Sequence, residues 1–296
     1  MRLIDASYEI IEQEPNILGV YKQIEKAART AYKSEDKITE GSAQRMVEAL
    51  CKSNHGACLE HGTIYLEVPY DTKRDYLING YSIYSADHVI PRINVQYASN
   101  SYSKTKTNPY KQVVAITTNA RVIFENGWED DLKYMCEPTE FHEKRITVKF
   151  TTSIGIVREI LRHRHFSFLN ESTRYCNYAK GKFNSELTFI KPDTNNWVNE
   201  GNYYEYLAGL QYAEKCYLKA IDHGVKPEIA RDILPLSLKS ELIVTGFVSD
   251  WIHFFRLRSH IAATGKPHPD IQKLADPLMQ EFIDKRYCTY EQIKTT

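Results

Sequence analysis

The chain has 296 residues, with 38 lysines and arginines balanced by 38 aspartates and glutamates, 42% hydrophobic residues and 26% charged ones. That composition is too apolar for a disordered chain, and zero net charge excludes a protein that coats nucleic acid or membrane through bulk charge. The six cysteines form no CxxC pair, no apolar run approaches the ~20 residues that span a bilayer, and no signal peptide is visible. The expectation is reduced thiols, a cytoplasmic location, and neither membrane nor nucleic acid as partner.

Residues 3–11 read as a strand. Apolar spacing at Leu18, Tyr21, Ile24, Ala27 and Ala28 predicts an amphipathic helix over 17–32, and a second helix runs over 42–51 with Ser42 as N-cap. Ile64, Leu66 and Val68 alternate, as do Ile146, Val148 and Phe150, so 63–68 and 145–150 are strands. Between them, 70–142 is mixed and contains a polar loop at 98–111. Near its end, 125–143 holds seven acids against Lys133 alone, which reads as a solvated face.

A helix is expected over 151–164, capped by Thr152 or Ser153. Another opens at Asn202 with a capping-box pattern and stops at Gly224. A strand at 238–247 leads into a helix at 249–259 capped by Ser249-Asp250, and a last helix spans 270–285 around Pro277. Strands and helices mix without regular βαβ alternation. The fold class expected is therefore α+β, a mixed sheet packed with helices in a single domain.

Chemistry concentrates at 158–182, where six lysines and arginines face two acids, a local +4 in a neutral chain. On a helix running to residue 164, Arg164 falls among Ile154, Ile156, Val157, Ile160 and Leu161. Arg258 likewise falls among Trp251, Phe254 and Phe255. A guanidinium on an apolar face must be paired or must face an anion, because an unpaired buried charge costs several kcal/mol. A structural salt bridge explains one such case; two favour a site for phosphate and a flat ring. His163 and His165 point to different helix faces, and His55 and His61 lack partners at ligand spacing, so no metal is expected.

These residues resemble a family. Arg162-His163-Arg164, seven residues and then Ser172 match the RHR-x7-S signature of flavin-dependent thymidylate synthases, and Arg174-Tyr175 extend it. Ala230-Arg231 through Leu234-Pro235, then Thr245, Phe254 and Leu257-Arg258, and upstream His55 through Glu60-His61, are similar to three further blocks of that family in the same order. The resemblance implies formation of dTMP from dUMP, with methylenetetrahydrofolate as carbon donor and FAD as cofactor, reduced by NADPH. It also implies a homotetramer with shared active sites. By position it implies dUMP contacts from Glu159, Arg162, Asn170, Glu171, Ser172, Arg174 and Arg231, with Arg258 as the catalytic cation that favours ionised uracil. Flavin contacts fall on His55, Arg162, His163, Arg164, Asn170 and His253.

The chain departs from the pattern in places. Ala57-Cys58 replaces a hydroxyl residue and proline, Phe247-Val248-Ser249 replaces N-x-R, and Glu159 stands where some members have glutamine. The Asn170-Glu171 pair is shifted by one place. The 101 positions from His61 to Arg162 make 70–142 an insertion, expected on the outside of the tetramer or over the mouth of the site. Two rival readings are a non-catalytic nucleotide- or RNA-binding protein and a thymidylate synthase using Cys176 as nucleophile.

Overall fold

The computed structural model describes residues 1–70, 92–179, 185–193, 200–263 and 265–294, with four two-residue strands between 77 and 89. The first part contains β1 (Arg2–Ile4), β2 (Ser7–Ile11), α1 (Asn16–Tyr32), α2 (Ser42–Lys52), α3 (Gly56–Leu59) and β3 (Thr63–Pro69). After the short strands β4–β7 come α4 (Arg92–Ala98), β8 (Lys104–Asn108), β9 (Val113–Asn119) and α5 (Ala120–Asn126). The next stretch holds β10 (Arg145–Ser153), α6 (Ile154–Ile160), β11 (Ser167–Asn170), β12 (Thr188–Ile190) and α7 (Glu200–Asp222). The chain closes with α8 (Pro227–Ala230), β13 (Lys239–Phe247), α9 (Val248–Arg258), α10 (Pro269–Asp284) and α11 (Tyr290–Lys294).

The fold is α+β. Its central sheet is antiparallel throughout, in the order β11-β13-β10-β2, with Val148 opposite both Val244 and Ile10. Alternation along β10 sends Ile146, Val148 and Phe150 to one face, where α6, α9 and α10 cover them with Ile160, Trp251, Phe254 and Phe282. Each such fully buried side chain contributes roughly 1.5–3 kcal/mol. The strand predicted over 3–11 is two strands. β1 pairs parallel with β12 while β2 joins β10, because the two halves serve different sheets.

A second sheet, β3-β9-β8, packs Ile64, Leu66, Val114 and Ile116 against Val20 and Ile24 of α1 and Val47 of α2. The described part of the 70–142 segment is thus built into a core, with β9 as the central strand of its sheet. The polar stretch expected to be loop at 98–111 holds the end of α4 and all of β8, because Lys104 to Asn108 pair along β9.

Buried polar contacts close the seam between the sheets. The Gln13 side chain exchanges two hydrogen bonds of 2.8 Å with the Thr63 backbone. His61 Nδ1 lies 2.8 Å from Thr245 Oγ1, itself 2.8 Å from Thr147 Oγ1. Arg145, 8% exposed, donates to the Glu60 carbonyl at 2.9 Å and to Ser167 Oγ at 3.3 Å. Burial lowers the pKa values of Arg145 to about 10 and, aided by Arg145, of His61 to about 3.

Local ends differ from the expectations in instructive ways. Gly41 at φ +70° is the N-cap of α2, and Ser42 bonds instead to Thr39 and the buried Glu25. β10 continues through Thr151 and Thr152 because β13 pairs with it as far as Ser153, whose hydroxyl then caps α6. Asn202 lies inside α7, which is already helical at Glu200. The cap of α9 is Phe247, with the Asp250 carboxylate accepting from its amide at 3.0 Å.

Candidate active site

α6 ends at Ile160, four residues short of Arg164. Beyond it the backbone turns tightly: the amides of Arg162, His163 and Phe166 each donate three residues back, at 3.1–3.3 Å. The helical projection that placed Arg164 on the apolar face therefore does not extend to it, and Arg164 is exposed. His163 takes the buried place, its ring 5.0 Å from that of Phe254. Phe166 follows it inward onto β13, where Gly246 makes the room. A Cβ on Gly246 would lie 2.1 Å from the Phe166 ring.

Arg258, at the last turn of α9, faces this turn. Its Nη1 donates to Glu159 Oε2 at 2.8 Å, its Nη2 to the Glu159 carbonyl at 3.1 Å, and its Nε to His163 Nε2 at 3.0 Å. The salt bridge weighed for Arg258 is thus present, yet three bonds leave two of its five N–H groups free. His163 accepts from Arg258 only when that nitrogen is unprotonated. Burial, then Arg258 and His253, lower its pKa to about 4, so it is neutral near pH 7.

Around this triad lies a cleft of about 460 Å³ lined by Arg162, His163, Arg164, His165, Phe166, Asp250, His253, Leu257 and Arg258. Arg162 and Arg164 have no ion pair among the described residues. Four of the residues expected at a flavin, Arg162, His163, Arg164 and His253, therefore converge here. The sequence reading missed two more. Asp250 was visible only as a helix cap, and burial raises its carboxyl pKa although Phe247 N–H and Lys104 oppose this. In the sequence His165 stands out only as a histidine two places from His163, a spacing that suits no metal.

A second cleft, of about 510 Å³, runs beside α6 between Ile154 and Arg158 and is lined in part by Arg158, Asn170, Glu171, Thr173, Arg231 and Ser240. Among the described residues Arg231 is held only by Thr173 Oγ1, at 3.2 Å, and Asn170 accepts from Ser240 at 2.9 Å. Glu171 is buried and committed, taking Lys239 at 2.7 Å and the Tyr178 hydroxyl at 3.2 Å. The expected dUMP contacts are therefore divided. Arg162 and Arg258 line the first cleft and Asn170, Glu171 and Arg231 the second, while Glu159, bonded to Arg258, lines a further cleft with Pro235 and Leu236. Ser172 and exposed Arg174, the latter 5.5 Å over the Tyr175 ring, line neither cleft. His55 also lines neither, and sits exposed before α3 beside Ser53. Cys176 is buried among Tyr178, Leu187 and Tyr217.

The sequence profile of the thymidylate synthase complementing protein family matches residues 88–285, two thirds of the chain. This chain belongs to that family. Among similar members, a flavin-dependent thymidylate synthase of Synechocystis is 35% identical over 150 residues, covering 47% of this chain and 67% of the relative. A probable flavin-dependent thymidylate synthase of Paramecium bursaria Chlorella virus 1 is 29% identical over 213 residues, covering 66% and 89%. Among solved structures, a UMP/dUMP methylase PolB of Streptomyces cacaoi is 18% identical with a TM-score of 0.46, covering 96% and 93%. The family match runs through both blocks that build the cleft, 162–166 and 250–258.

Proposed function

We propose that this chain forms dTMP from dUMP, with methylenetetrahydrofolate as carbon donor and FAD, reduced by NADPH, as cofactor. The observation that carries the reading is Arg258, clamped by Glu159 and His163 with two N–H groups left over at a cleft. A fixed cation beside the pyrimidine stabilises negative charge developing on the ring and makes C5 a better nucleophile. The clamp holds the guanidinium before the ligand arrives, so no reorganisation is needed at the reacting centre.

The cleft fits a flavin in size and chemistry. Its volume lies in the range of small-molecule sites, it has a buried aromatic floor at Phe166 and His163, and two unpaired arginines at its rim can meet an anion. A bound reduced flavin would supply the hydride. Arg162, Arg164, His163 and His253 would hold it, while His55 belongs to this set only if another copy brings it there.

The divided dUMP residues support a shared site. Arg162 and Arg258 line one cleft and Arg231, Asn170 and Glu171 another, and the two clefts share no lining residue. We read Arg231, Asn170, Glu171, Ser172 and Arg174 as one copy's contribution and Glu159, Arg162 and Arg258 as another's, in a homotetramer. On this reading 1–296 is one domain with 70–142 as an insertion, and Cys176, enclosed by aromatic and aliphatic side chains, is not a nucleophile.

The test is tritium release from C5-labelled dUMP with FAD, NADPH and the folate present. Release by the wild type, with loss in Arg258→Ala, is expected; no release from a correctly folded wild type overturns the reading.

A further inference from the structure

A second feature adjoins the arginine–histidine cleft and is used by nothing described so far. Lys104, on β8, reaches across to the start of α9. Its Nζ donates to Ser249 Oγ at 2.6 Å, pairs with Glu143 at 2.7 Å, and lies 4.5 Å from the centre of the Phe247 ring. Glu143 in turn accepts from the Ser249 amide at 2.9 Å. Burial raises the Glu143 carboxyl, but Lys104 and Ser249 outweigh it and hold the carboxyl below its usual range.

Lys104 also lines a separate cleft of about 480 Å³, together with Ser103, Lys106, Glu140, His142 and Glu143. Lys106 lies two residues along the same strand, hence on the same face. It sits 5.0 Å from the Phe141 ring centre and has no ion pair among the described residues. Glu143 is committed to Lys104 and the Ser249 amide, which leaves Glu140 as the acid opposing Lys106.

The two clefts are neighbours. Asp250 lines the first, and the adjacent Ser249 is bonded to two residues that line the second. Arg162, Arg164 and His165 thus line one cleft and Lys104 and Lys106 the other, on either side of Ser249-Asp250 at the N-terminus of α9. A ring with a phosphate-bearing tail is the ligand shape that needs an apolar floor at one end and cations along the other.

We propose that the two clefts form one elongated dinucleotide site. The ring lies over His163 and Phe166, and the diphosphate passes residue 249 to meet Lys104 and Lys106. This rests on the flavin reading above and assigns to the 92–143 segment a direct share in holding the cofactor. It also accounts for the lack of a side-chain cation at Ser249, since Lys104 brings one there from another strand.

The test compares binding of FAD with that of riboflavin, which has the ring and no phosphate, by fluorescence titration of Lys104→Gln/Lys106→Gln and wild type. FAD affinity falling tenfold or more with riboflavin affinity unchanged, together with a weaker salt dependence for FAD, is the expected result. Lys106→Gln alone, at an exposed position, gives the same direction with a smaller change, and Lys104→Arg restores FAD binding. Equal loss for both flavins, or no loss for either, overturns the proposal while leaving the enzyme reading in place. A wild type that binds neither flavin overturns both.

Discussion

Arg145 and Arg258 each hold a guanidinium out of bulk water, and they do so in opposite ways. Arg145 lies at the seam between the sheets with no carboxylate in ion-pair range among the described residues, and it donates to a carbonyl and two hydroxyls. Arg258 lies at a cleft rim, with its charge matched by Glu159 and part of its donor set unused. Each uses three of its five N–H groups, and the Arg145 Nε is buried without a hydrogen-bond partner, so the two differ in burial and in having a matched carboxylate. What separates the structural arginine from the ligand-binding one here is the depth of burial and the carboxylate that fixes Arg258, since the N–H groups left over are equal in number.

The largest test of that contrast is Arg145→Met. It leaves the Glu60 carbonyl, Thr63 and Ser167 without their donor, and a loss of roughly 3–5 kcal/mol is expected in urea unfolding. A loss below ~1 kcal/mol would break the comparison. Arg258→Ala is expected to behave in the reverse sense. Stability changes by under ~1 kcal/mol, as for a partly exposed pair, while dTMP formation falls about 10²–10³-fold at saturating dUMP.

Acid sharpens the same contrast between buried and rim charges. Burial pushes the Glu241 carboxyl up, but Lys239, Lys149 and Lys33 outweigh it and bring its pKa to about 2, well below the ordinary glutamate range. Its contribution, on the order of 2–3 kcal/mol, is present above pH 5 and is lost as pH falls toward 2. Glu241→Gln should flatten that part of the stability curve measured by urea midpoints.

His163 acts in a higher window. The unfolded chain takes up a proton near pH 6.5 that folded His163 refuses until about pH 4, so stability is lost across that interval and not below it. His163→Asn keeps an acceptor for Arg258 and should remove part of this loss, with the remainder belonging to His61 and His142, whose pKa values burial also lowers. The smallest effect expected is that of Glu159→Gln. A neutral acceptor still orients Arg258, so the KM for dUMP should move by less than about tenfold with kcat nearly unchanged.

Much of the fold was legible wherever a local period carried it. The alternations at 64–68 and 146–150 are strands, and the 3.6-residue pattern over 17–32 is helix α1. What local periodicity cannot carry is pairing across distance. β9 gains its place from β3, more than forty residues upstream, so its segment read as mixed. The site shows the same division. The residues of the 162–164 and 258 blocks were found from their type and order. The directions of 162–164 were misread because the run after Ile160 contains no glycine or proline to announce that the helix ends. His163 and Phe166 turn inward there to meet Phe254 and Trp251. Lys104 was invisible, since its partner Ser249 lies 145 positions away.

The strand order β11-β13-β10-β2 has a consequence for how the protein is made. Every ladder of the central sheet joins strands that are far apart in the chain, so loop closure precedes each gain in contact and folding is slow. On a ribosome adding about 5–20 residues per second, β10 emerges several seconds before β13. During that interval the edge formed by Ile146, Val148 and Phe150 lacks its main partner and can pair with another chain instead. Yield on expression should therefore depend on temperature and chaperone supply more steeply than the stability of the finished sheet would suggest.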